Sequence, residues 1–323
     1  MKKKNYLKAL CWIFAGIFVL GGCSSNRDEK EIPFENVEEE LPQEQKDEEM
    51  EIVSTEAGTE DTAGSIEPET AQVDWSGYFN GLNGEAVIYD VSNRRYAMYN
   101  SEQASTRHSP CSTFKIISSL AALENGIIVP EDSTRTWSGE VFWNEDWNRD
   151  IDFGEAFRTS CVWYFRQVID DIGQDIMQKE LDKLQYGNCD ISDWEGRLNT
   201  NNNNRALTGF WLESSLLISP KEQAEVMERI FGENSDYSEA TKNELKQVML
   251  IPEQDGTDIS IYGKTGMGKA EGITVDAWFT GFAETTEGNL YFCVHLGRTD
   301  SADVSSSRAK EIAIQIVSDY YAQ

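Results

Sequence analysis

The residues best suited to chemistry in this sequence are Ser112 and Lys115, in the segment Ser112-Thr113-Phe114-Lys115. An apolar stretch with helical character, residues 116–120, follows them, so a spacing of three places the hydroxyl and the amine on one face, one turn apart. A serine hydroxyl is a weak nucleophile until a base takes its proton, and burial can turn a lysine amine into that base. The pair indicates covalent catalysis through a serine ester, although roughly one Ser-x-x-Lys arises by chance in a chain of this length.

Two further segments carry groups suited to the same chemistry. Ser160-Cys161-Val162-Trp163 supplies a second hydroxyl beside an apolar wall. Tyr262-Gly263-Lys264-Thr265-Gly266 overlaps a predicted strand, Ile259 to Thr265, where the lysine supplies a fixed cation and the glycines let a substrate approach the backbone. The chain has only two histidines, which disfavours a histidine-based triad or a histidine-rich metal site, and no metal is predicted.

Ser-x-x-Lys, a second serine motif and Lys-Thr-Gly, in this order, form the signature of the penicillin-recognising serine enzymes. From residue 75 to residue 323 the sequence resembles one group of them, the class D or oxacillinase-type β-lactamases. The nucleophile segment Ser109 to Ile116 is similar to that of the family, with Cys111 where alanine is usual, and Ser160-Cys161-Val162 matches the family's Ser-x-Val element. The other matching segments are Tyr186-Gly187-Asn188, Phe210-Trp211-Leu212-Glu213 with Ile218-Ser219, Trp278-Phe279-Thr280-Gly281 and Ser307-Arg308.

The resemblance implies a role for each matched residue. Ser112 would attack the lactam carbonyl, the backbone N–H groups of Ser112 and Met267 would form the oxyanion hole, and Ser160 would relay a proton to the leaving nitrogen. Carbon dioxide would carboxylate the amine of Lys115, and the resulting carbamate would be the general base, with no other cofactor. Trp211 and Val162 would surround that carbamate, the indole as a hydrogen-bond donor and the valine as a barrier to water. The residues assigned to the β-lactam substrate are Lys264, Thr265, Gly266, Met267 and Arg308.

Three other functions compete with β-lactam hydrolysis. A penicillin-binding sensor domain of the membrane-receptor type would be acylated at Ser112 and stay acylated, but such receptors place several transmembrane helices and a His-Glu-x-x-His metalloprotease before the sensor. This sequence shows one short signal and no such motif. A cell-wall D,D-peptidase shares the first and third motifs, but the Tyr-Gly-Asn and Phe-Trp-Leu-Glu segments argue against it. A non-enzymatic surface lipoprotein would make every motif a coincidence, so hydrolysis is the predicted function.

The elements that must position these residues occur near both ends of the folded region. Residues 85–99 predict a hairpin turned at Ser92-Asn93, and residues 275–283 and 290–296 predict a second pair of strands. Residues 311–321 have helical periodicity, with Ile312 and Ile316 on one side. Strands at both ends with helical segments between them predict an α+β fold. We expect an antiparallel sheet built from both chain ends, flanked by helices, with a helical subdomain and the active site between them.

The first 74 residues are predicted to lie outside the catalytic domain, which is assigned to residues 75–323. Four lysines and an apolar run, residues 9–20, form an export signal at 1–23, because the run is shorter than the ~20 residues that span a bilayer. Leu20-Gly21-Gly22-Cys23 resembles the bacterial lipobox, in which the cysteine is lipidated. Residues 24–74 carry 18 acidic and three basic residues and predict a disordered tether. We therefore expect a lipid-anchored protein on the extracytoplasmic side of a bacterial cell membrane.

Composition excludes some functions and constrains the pocket. The chain has 57 acidic and 28 basic residues and a net charge of −29, which excludes a nucleic-acid partner. Its mean hydropathy of −0.51 excludes a polytopic membrane protein. A penicillin is also an anion, but charges beyond about 8 Å are largely screened at physiological salt, so local cations can still dominate a pocket. The cysteines after Cys23 are predicted to be reduced, mostly buried thiols: Cys111, Cys161, Cys189 and Cys293.

Overall fold

The structure is a computed structural model that describes residues 67–198, 203–252, 259–298 and 304–322. The predicted export signal, the lipidated Cys23 and the tether up to residue 66 lie outside the described residues. Among the helices that the structure describes, none combines the length and the apolar composition needed to cross a membrane.

A six-stranded sheet forms the base of the domain. Its spatial order is β1-β3-β2-β6-β5-β4, and every neighbouring pair is antiparallel except β1 and β3 at the edge. The central pair, β2 and β6, joins strands from the two ends of the domain, which confirms the predicted fold class. The strands are β1 (Glu69–Gln72), β2 (Gly84–Asp90), β3 (Arg95–Tyr99), β4 (Ser260–Ala270), β5 (Ile273–Thr285) and β6 (Gly288–Gly297).

Strand β1 shows that the folded part of the chain begins before residue 75. The backbone N–H groups of Glu69 and Val73 donate to the carbonyls of Arg94 and Met98, each over 2.9 Å. The prediction of a disordered tether over 24–74 is therefore wrong for residues 69–72. An edge strand needs no apolar pattern, and three of the four residues of β1 are exposed, so its composition did not distinguish it from the acidic segment before it.

Helices cover both faces of the sheet. Successive side chains of a strand point to opposite faces, and here apolar side chains occur on both. Val87 of β2 faces a helical subdomain, whereas Ala86 and Ile88 face the terminal helices α1 and α9. The helices are α1 (Ser76–Phe79), α2 (Ser101–Ala104), α3 (Lys115–Glu124), α4 (Phe153–Arg158), α5 (Val162–Ile172), α6 (Gln174–Leu184), α7 (Pro220–Phe231), α8 (Glu239–Met249) and α9 (Ser306–Tyr321), with 3₁₀ turns at Cys111–Phe114, Pro130–Asp132, Glu145–Trp147 and Arg205–Leu207.

The helical subdomain is organised around α3, which is buried along most of its length. Helix α5 contacts α3. Each helix begins at a predicted site residue: α3 begins at Lys115, and α5 begins at Val162, two residues after Ser160. The subdomain therefore delivers these residues to its boundary with the sheet. The four described cysteines are free thiols, and all but Cys189 are buried, as predicted.

Candidate active site

The structure brings Ser112 and Lys115 together at the mouth of a cleft. Ser112 lies in the 3₁₀ turn Cys111–Phe114, and Lys115 is the first residue of α3. The Nζ atom of Lys115 donates a hydrogen bond of 3.0 Å to the Oγ atom of Ser112. Ser112 lines a cavity of about 470 Å³, whereas the lysine side chain is only 1% exposed. The hydroxyl can therefore meet a ligand while its partner amine stays away from bulk water.

Burial changes the acid–base behaviour of Lys115. Desolvation lowers the pKa of its ammonium to about 8, because the charged form loses its hydration in this environment. The Phe165 ring lies 5.4 Å from Nζ and forms part of the apolar surroundings. A lysine with this pKa is about one tenth neutral at pH 7, and a neutral amine can accept the hydroxyl proton of Ser112.

A second lysine and a second serine meet across the cleft. The Nζ atom of Lys264, on β4, donates to Ser160 Oγ over 3.1 Å and to the carbonyl of Thr265 over 3.2 Å. Lys264 is 5% exposed, and burial, together with the charge of Lys115, lowers its pKa well below the ordinary value. Burial and the charge of Lys115 thus both oppose the positive charge that the sequence predicts for Lys264, because two buried ammonium groups disfavour each other's charge.

Three residues at the cleft have a left-handed backbone although none is glycine. Their φ angles are +49° at Cys111, +58° at Ser160 and +53° at Glu213. Such a conformation costs of order 1–3 kcal/mol per residue and persists only where the surroundings enforce it. At Cys111 one constraint is a 3.0 Å hydrogen bond from its N–H to the carbonyl of Trp211. The packing around them therefore holds the backbone of the turns that carry Ser112 and Ser160 in one conformation.

Strand β4 forms one wall of the cleft through Thr265, Gly266 and Met267. A Cβ atom on Gly266 would lie 3.0 Å from the carbonyl of Pro110 and 3.0 Å from the side chain of Thr113, so a larger residue would push the strand and the nucleophile turn slightly apart. The glycine thus brings Met267 and Ser112, the two residues predicted to supply oxyanion N–H groups, to the same cavity.

Val162 lies at the surface of the cavity, whereas Trp211 is buried behind the Ser112 turn. Val162 begins α5 and lines the cavity with its side chain. Trp211 is 1% exposed, and its ring stacks on Phe114 with centroids 6.1 Å apart. Its carbonyl also accepts a 3.0 Å hydrogen bond from Ser109 Oγ, so the tryptophan fastens the segment that leads to Ser112.

The structure does not place Arg308 at the cleft, and its predicted role in holding the substrate carboxylate is not supported. Its guanidinium donates to the carbonyl of Tyr78 over 3.0 Å and to Glu311 over 3.1 Å. Ser306, two positions earlier on α9, lines the cavity instead. Residues two apart on a helix point to nearly opposite sides, so the turn that presents Ser306 to the cleft directs Arg308 away from it.

Sequence reasoning missed several residues of the cleft. Leu212 and Glu213 belong to a matched segment but had no assigned role, whereas the exposed Trp143 stands in a stretch without a motif and packs on Trp147 at 5.0 Å between ring centroids. Burial raises the pKa of Glu213, and its carboxylate accepts the N–H of Lys269. The residues that line the cavity without having been predicted are Trp143, Trp147, Thr159, Arg197, Leu207, Leu212, Glu213, Lys269, Gly272 and Ser306.

Comparison with known proteins relates this geometry to one family. The penicillin binding protein transpeptidase domain matches residues 83–318. The chain is 31% identical to the probable β-lactamase YbxI of Bacillus subtilis, over 75% of this chain and 82% of that protein. A solved structure, the class D β-lactamase from Bacillus subtilis, superposes with a TM-score of 0.64 at 31% identity and covers 77% of this chain and 95% of that one.

A regulatory protein is similar to the chain to the same degree. The regulatory protein BlaR1 of Bacillus licheniformis is 32% identical over 76% of this chain, and the chain spans 38% of the length of BlaR1. The relatives therefore include both hydrolases and a regulator.

Proposed function

The chain belongs to the penicillin-binding protein transpeptidase family, in its class D β-lactamase group, and from this premise we propose that it hydrolyses β-lactams through an ester on Ser112. The observation that carries the proposal is the 3.0 Å hydrogen bond between Lys115 Nζ and Ser112 Oγ at a cavity of about 470 Å³. A nucleophile with a buried base beside an open cavity is the arrangement that acyl transfer requires.

In the acylation step, Ser112 Oγ attacks the lactam carbonyl while Lys115 takes its proton. The backbone N–H groups of Ser112 and Met267 stabilise the negative charge that develops on the carbonyl oxygen, and such a donor contributes about 3–4 kcal/mol. The C–N bond of the lactam then breaks, and the hydroxyl of Ser160 gives its proton to the leaving nitrogen. Lys115 then returns its proton to Ser160, so the proton that Ser112 lost ends on the leaving nitrogen, while Lys264 orients the Ser160 hydroxyl by a hydrogen bond of 3.1 Å.

Lys264 and Thr265 bind the carboxylate of the substrate in this proposal. Burial keeps the pKa of Lys264 low, but an incoming carboxylate favours the charged ammonium. The lysine thus gains its charge as the anion binds, and the resulting hydrogen bond is charge-assisted. Arg197 and Lys269 also line the cavity and add positive charge near its rim.

We further propose that the amine of Lys115 is carboxylated by carbon dioxide. The group supplies a negatively charged base that can accept a proton from Ser112 and later from the hydrolytic water. The surroundings fit it: carboxylation needs a neutral amine, which burial favours, and a negative carbamate would favour the charged form of the neighbouring Lys264. Val162 presents an apolar side chain to the same cavity and keeps bulk water from the lysine.

Bicarbonate tests this modification separately from hydrolysis. We expect activity to fall in mildly acidic buffer and to recover when bicarbonate is added, with equal ionic strength from chloride as the control. Trp211→Phe should slow deacylation more than acylation, because in this proposal the indole N–H donates to the carboxylated lysine and the substitution removes that donor while leaving the base. Equal losses in both steps, or hydrolysis that depends on Lys115 but is indifferent to bicarbonate, would contradict the carboxylation.

The similarity to BlaR1 makes a β-lactam sensor the second candidate. A sensor and a hydrolase share the acylation step and differ in whether the ester is released. We expect the full chain to convert many equivalents of a chromogenic penicillin, and Ser112→Ala to convert none. A single stoichiometric burst, with a stable adduct on Ser112 by mass spectrometry, would favour the sensor.

We propose, lastly, that Cys23 carries a lipid that holds the protein on the outer side of the cytoplasmic membrane. The supporting observation is the lysine-rich, then apolar composition of residues 1–23, which ends in Leu20-Gly21-Gly22-Cys23. Expression in a bacterial host with a labelled fatty acid should label the wild-type protein and leave Cys23→Ser unlabelled. Equal labelling of both proteins would reject the anchor.

A further inference from the structure

Both histidines of the chain lie together behind the cleft. His295, on β6, is 1% exposed and stands between two carboxylates: its Nδ1 atom is 2.5 Å from Oε1 of Glu85, on β2, and its Nε2 atom is 3.0 Å from Oδ1 of Asp276, on β5. The ring of His108 stacks on His295 with centroids 4.5 Å apart. We call these four residues the His295 cluster.

The surroundings of His295 favour its protonated form. An ionised carboxylate only accepts hydrogen bonds, so a ring between two ionised carboxylates donates from both nitrogens and is an imidazolium. Burial opposes this charge, but hydrogen bonds and attraction from Asp276 and Glu85 outweigh it and raise the pKa of His295. Burial and the charge of His295 lower the pKa of His108, which is therefore the neutral ring of the stack.

A metal ion fits this arrangement less well than a proton. Glu85, His108 and His295 each place one possible ligand atom within 4.8 Å of the others. A metal ion lies near the plane of each imidazole that binds it, yet the two rings are stacked with only 30° between their planes. Both nitrogens of His295 are also occupied by carboxylates.

The cluster touches both backbone segments that carry the oxyanion N–H groups. Asp276 pairs with Gly268 of β4, the residue after Met267. A Cβ atom on Gly268 would lie 3.3 Å from the Asp276 carboxylate and 3.3 Å from the sulfur of Cys111, the residue before Ser112. The aspartate therefore lies where β4 and the nucleophile turn meet.

His108 connects the cluster to the nucleophile turn along the chain. It stands four residues before Ser112, and its backbone exchanges two hydrogen bonds of 2.9 Å with Ile218. Its Nδ1 atom is 3.6 Å from the Asp276 carboxylate, which also bonds His295. A shift of that carboxylate would thus reach the start of the segment that carries Ser112.

We propose that His295, held as an imidazolium between Glu85 and Asp276, is a positioning residue that keeps β4 and the Ser112 turn at the separation that the oxyanion hole requires. The inference rests on the proposed acyl transfer. When the imidazolium loses its proton, either the buried Glu85 or the partly exposed Asp276 loses its donor, and repulsion between the two carboxylates is no longer offset. Acylation then slows as pH rises, in the direction opposite to the gain from deprotonating Lys115.

The charged and titratable groups that face His295 come from three elements. They are Glu85 from β2, Asp276 from β5 and His108 from the segment before Ser112. Glu213, at the cleft, interacts with Asp276 through its charge. A change at Glu85 alters the charge balance of His295 from the side away from the cleft, which makes it the cleanest position for a test.

The first measurement is an NMR titration of the histidine ring nitrogens in the full chain. Because the chain has two histidines, His108→Gln assigns both sets of signals. We expect His295 to stay doubly protonated at pH 7, and Glu85→Gln, which keeps a hydrogen-bond acceptor but removes a charge, to lower its titration midpoint by about one pH unit or more. A His295 ring that is neutral at pH 7 in the wild-type chain would overturn the proposal.

The second measurement is the rate of acylation by a penicillin between pH 6 and pH 10, followed by mass spectrometry. We expect a falling limb at the His295 midpoint, displaced to lower pH by the same amount in Glu85→Gln. Asp276→Asn should displace it in the same direction and replaces Glu85→Gln if that variant does not fold. Glu284→Gln, a matched change on β5 at a carboxylate bound by Tyr262, should leave both midpoints in place.

The outcomes separate this inference from the proposed function. A falling limb that neither Glu85→Gln nor Asp276→Asn displaces would overturn the positioning role while leaving hydrolysis intact. Absence of acylation at every pH in the wild-type chain would reject the proposed function instead, and the ring titration would still support or refute the imidazolium.

Discussion

Lys115 meets two requirements that oppose each other. Catalysis needs an amine that is partly neutral at physiological pH, and burial is what lowers the pKa of this amine. Burial of a lysine costs stability, since the unfolded chain keeps its proton with a pKa of 10.5 and the folded protein loses it near 8. The residue that carries the chemistry is therefore a residue that weakens the fold.

The stability cost of Lys115 can be measured. Between pH 8 and pH 10.5 the unfolded chain binds more protons at this residue than the folded protein, so the free energy of unfolding rises with pH in that window. Lys115→Met should therefore raise the stability at pH 7 by up to about 3 kcal/mol while abolishing activity, with the gain shrinking above pH 8. Denaturant unfolding at pH 7 and pH 10 tests this, with Lys310→Met on α9 as the control. A loss of stability at pH 7 would contradict the cost.

The two candidate ligands of the substrate carboxylate should respond differently to truncation. Lys264→Ala should raise KM for a penicillin about tenfold or more, because a hydrogen bond to a charged group contributes about 1.5–3 kcal/mol. Arg308→Ala should leave KM within about twofold, because the guanidinium binds Tyr78 and Glu311 away from the cleft. Steady-state kinetics separate the two, and a large KM effect of Arg308→Ala would restore the role that the sequence suggested.

At the scale of elements, the Tyr186-Gly187-Asn188 segment binds the backbone of residues 215–217, which follow Trp211 in the chain. The side chain of Asn188 donates to the carbonyl of Ser215 over 2.8 Å and accepts from the N–H of Leu217 over 2.9 Å. Gly187 has φ of +55°, and a Cβ atom there would lie 2.0 Å from the carbonyl of Leu217. The motif thus supports the segment between Trp211 and Ile218, and none of its three residues lines the cavity.

Gly187→Ala should therefore destabilise the domain by more than about 2 kcal/mol, since it adds a clash with backbone to an unfavourable φ. Gly126→Ala is the matched control: its φ is +66°, but nothing lies within 4 Å of the added carbon. The control should cost only the conformational energy, about 1–2 kcal/mol. Thermal unfolding of both variants checks the difference, and equal losses would show that the contact with Leu217 is absent or easily relieved.

The whole molecule presents a negative surface to a negative substrate. Residues 75–323 carry 39 acidic and 21 basic residues, a net charge of −18. The cations that favour the anion are local, at Lys264, Lys269 and Arg197 around the cavity. Long-range repulsion therefore opposes the encounter, and short-range attraction retains the ligand once it has arrived.

Salt should accordingly speed the capture of a penicillin. The Debye length falls from about 30 Å at 0.01 M to about 8 Å at 0.15 M, which screens the distant acidic groups more than the cations at the cleft. We expect kcat/KM to rise over this range. An uncharged ester of the same penicillin should show no change. A fall in kcat/KM for the anion would mean that the local cations already dominate at long range.

The sequence by itself determined the features that depend on neighbours along the chain. A spacing of three residues in a helical segment brought Ser112 to Lys115, and apolar runs joined by turn residues indicated β2, β3, β5 and β6, because helical and strand geometry fix these relations locally. It also determined the family, because the order of the motifs is a property of the sequence and does not depend on how the chain packs. It missed β1, whose short exposed strand has no apolar pattern.

Only the tertiary structure decided which distant residues meet. It joined Lys264 to Ser160 across 104 positions, directed Arg308 away from the cleft and placed His295 between Glu85 and Asp276. The physical reason is that burial and charge at a site are set by everything packed around it. Nothing in the sequence distinguishes Lys115 and Lys264 from other lysines, or His295 from another histidine, and only their surroundings lower the pKa of the two lysines and raise that of the histidine.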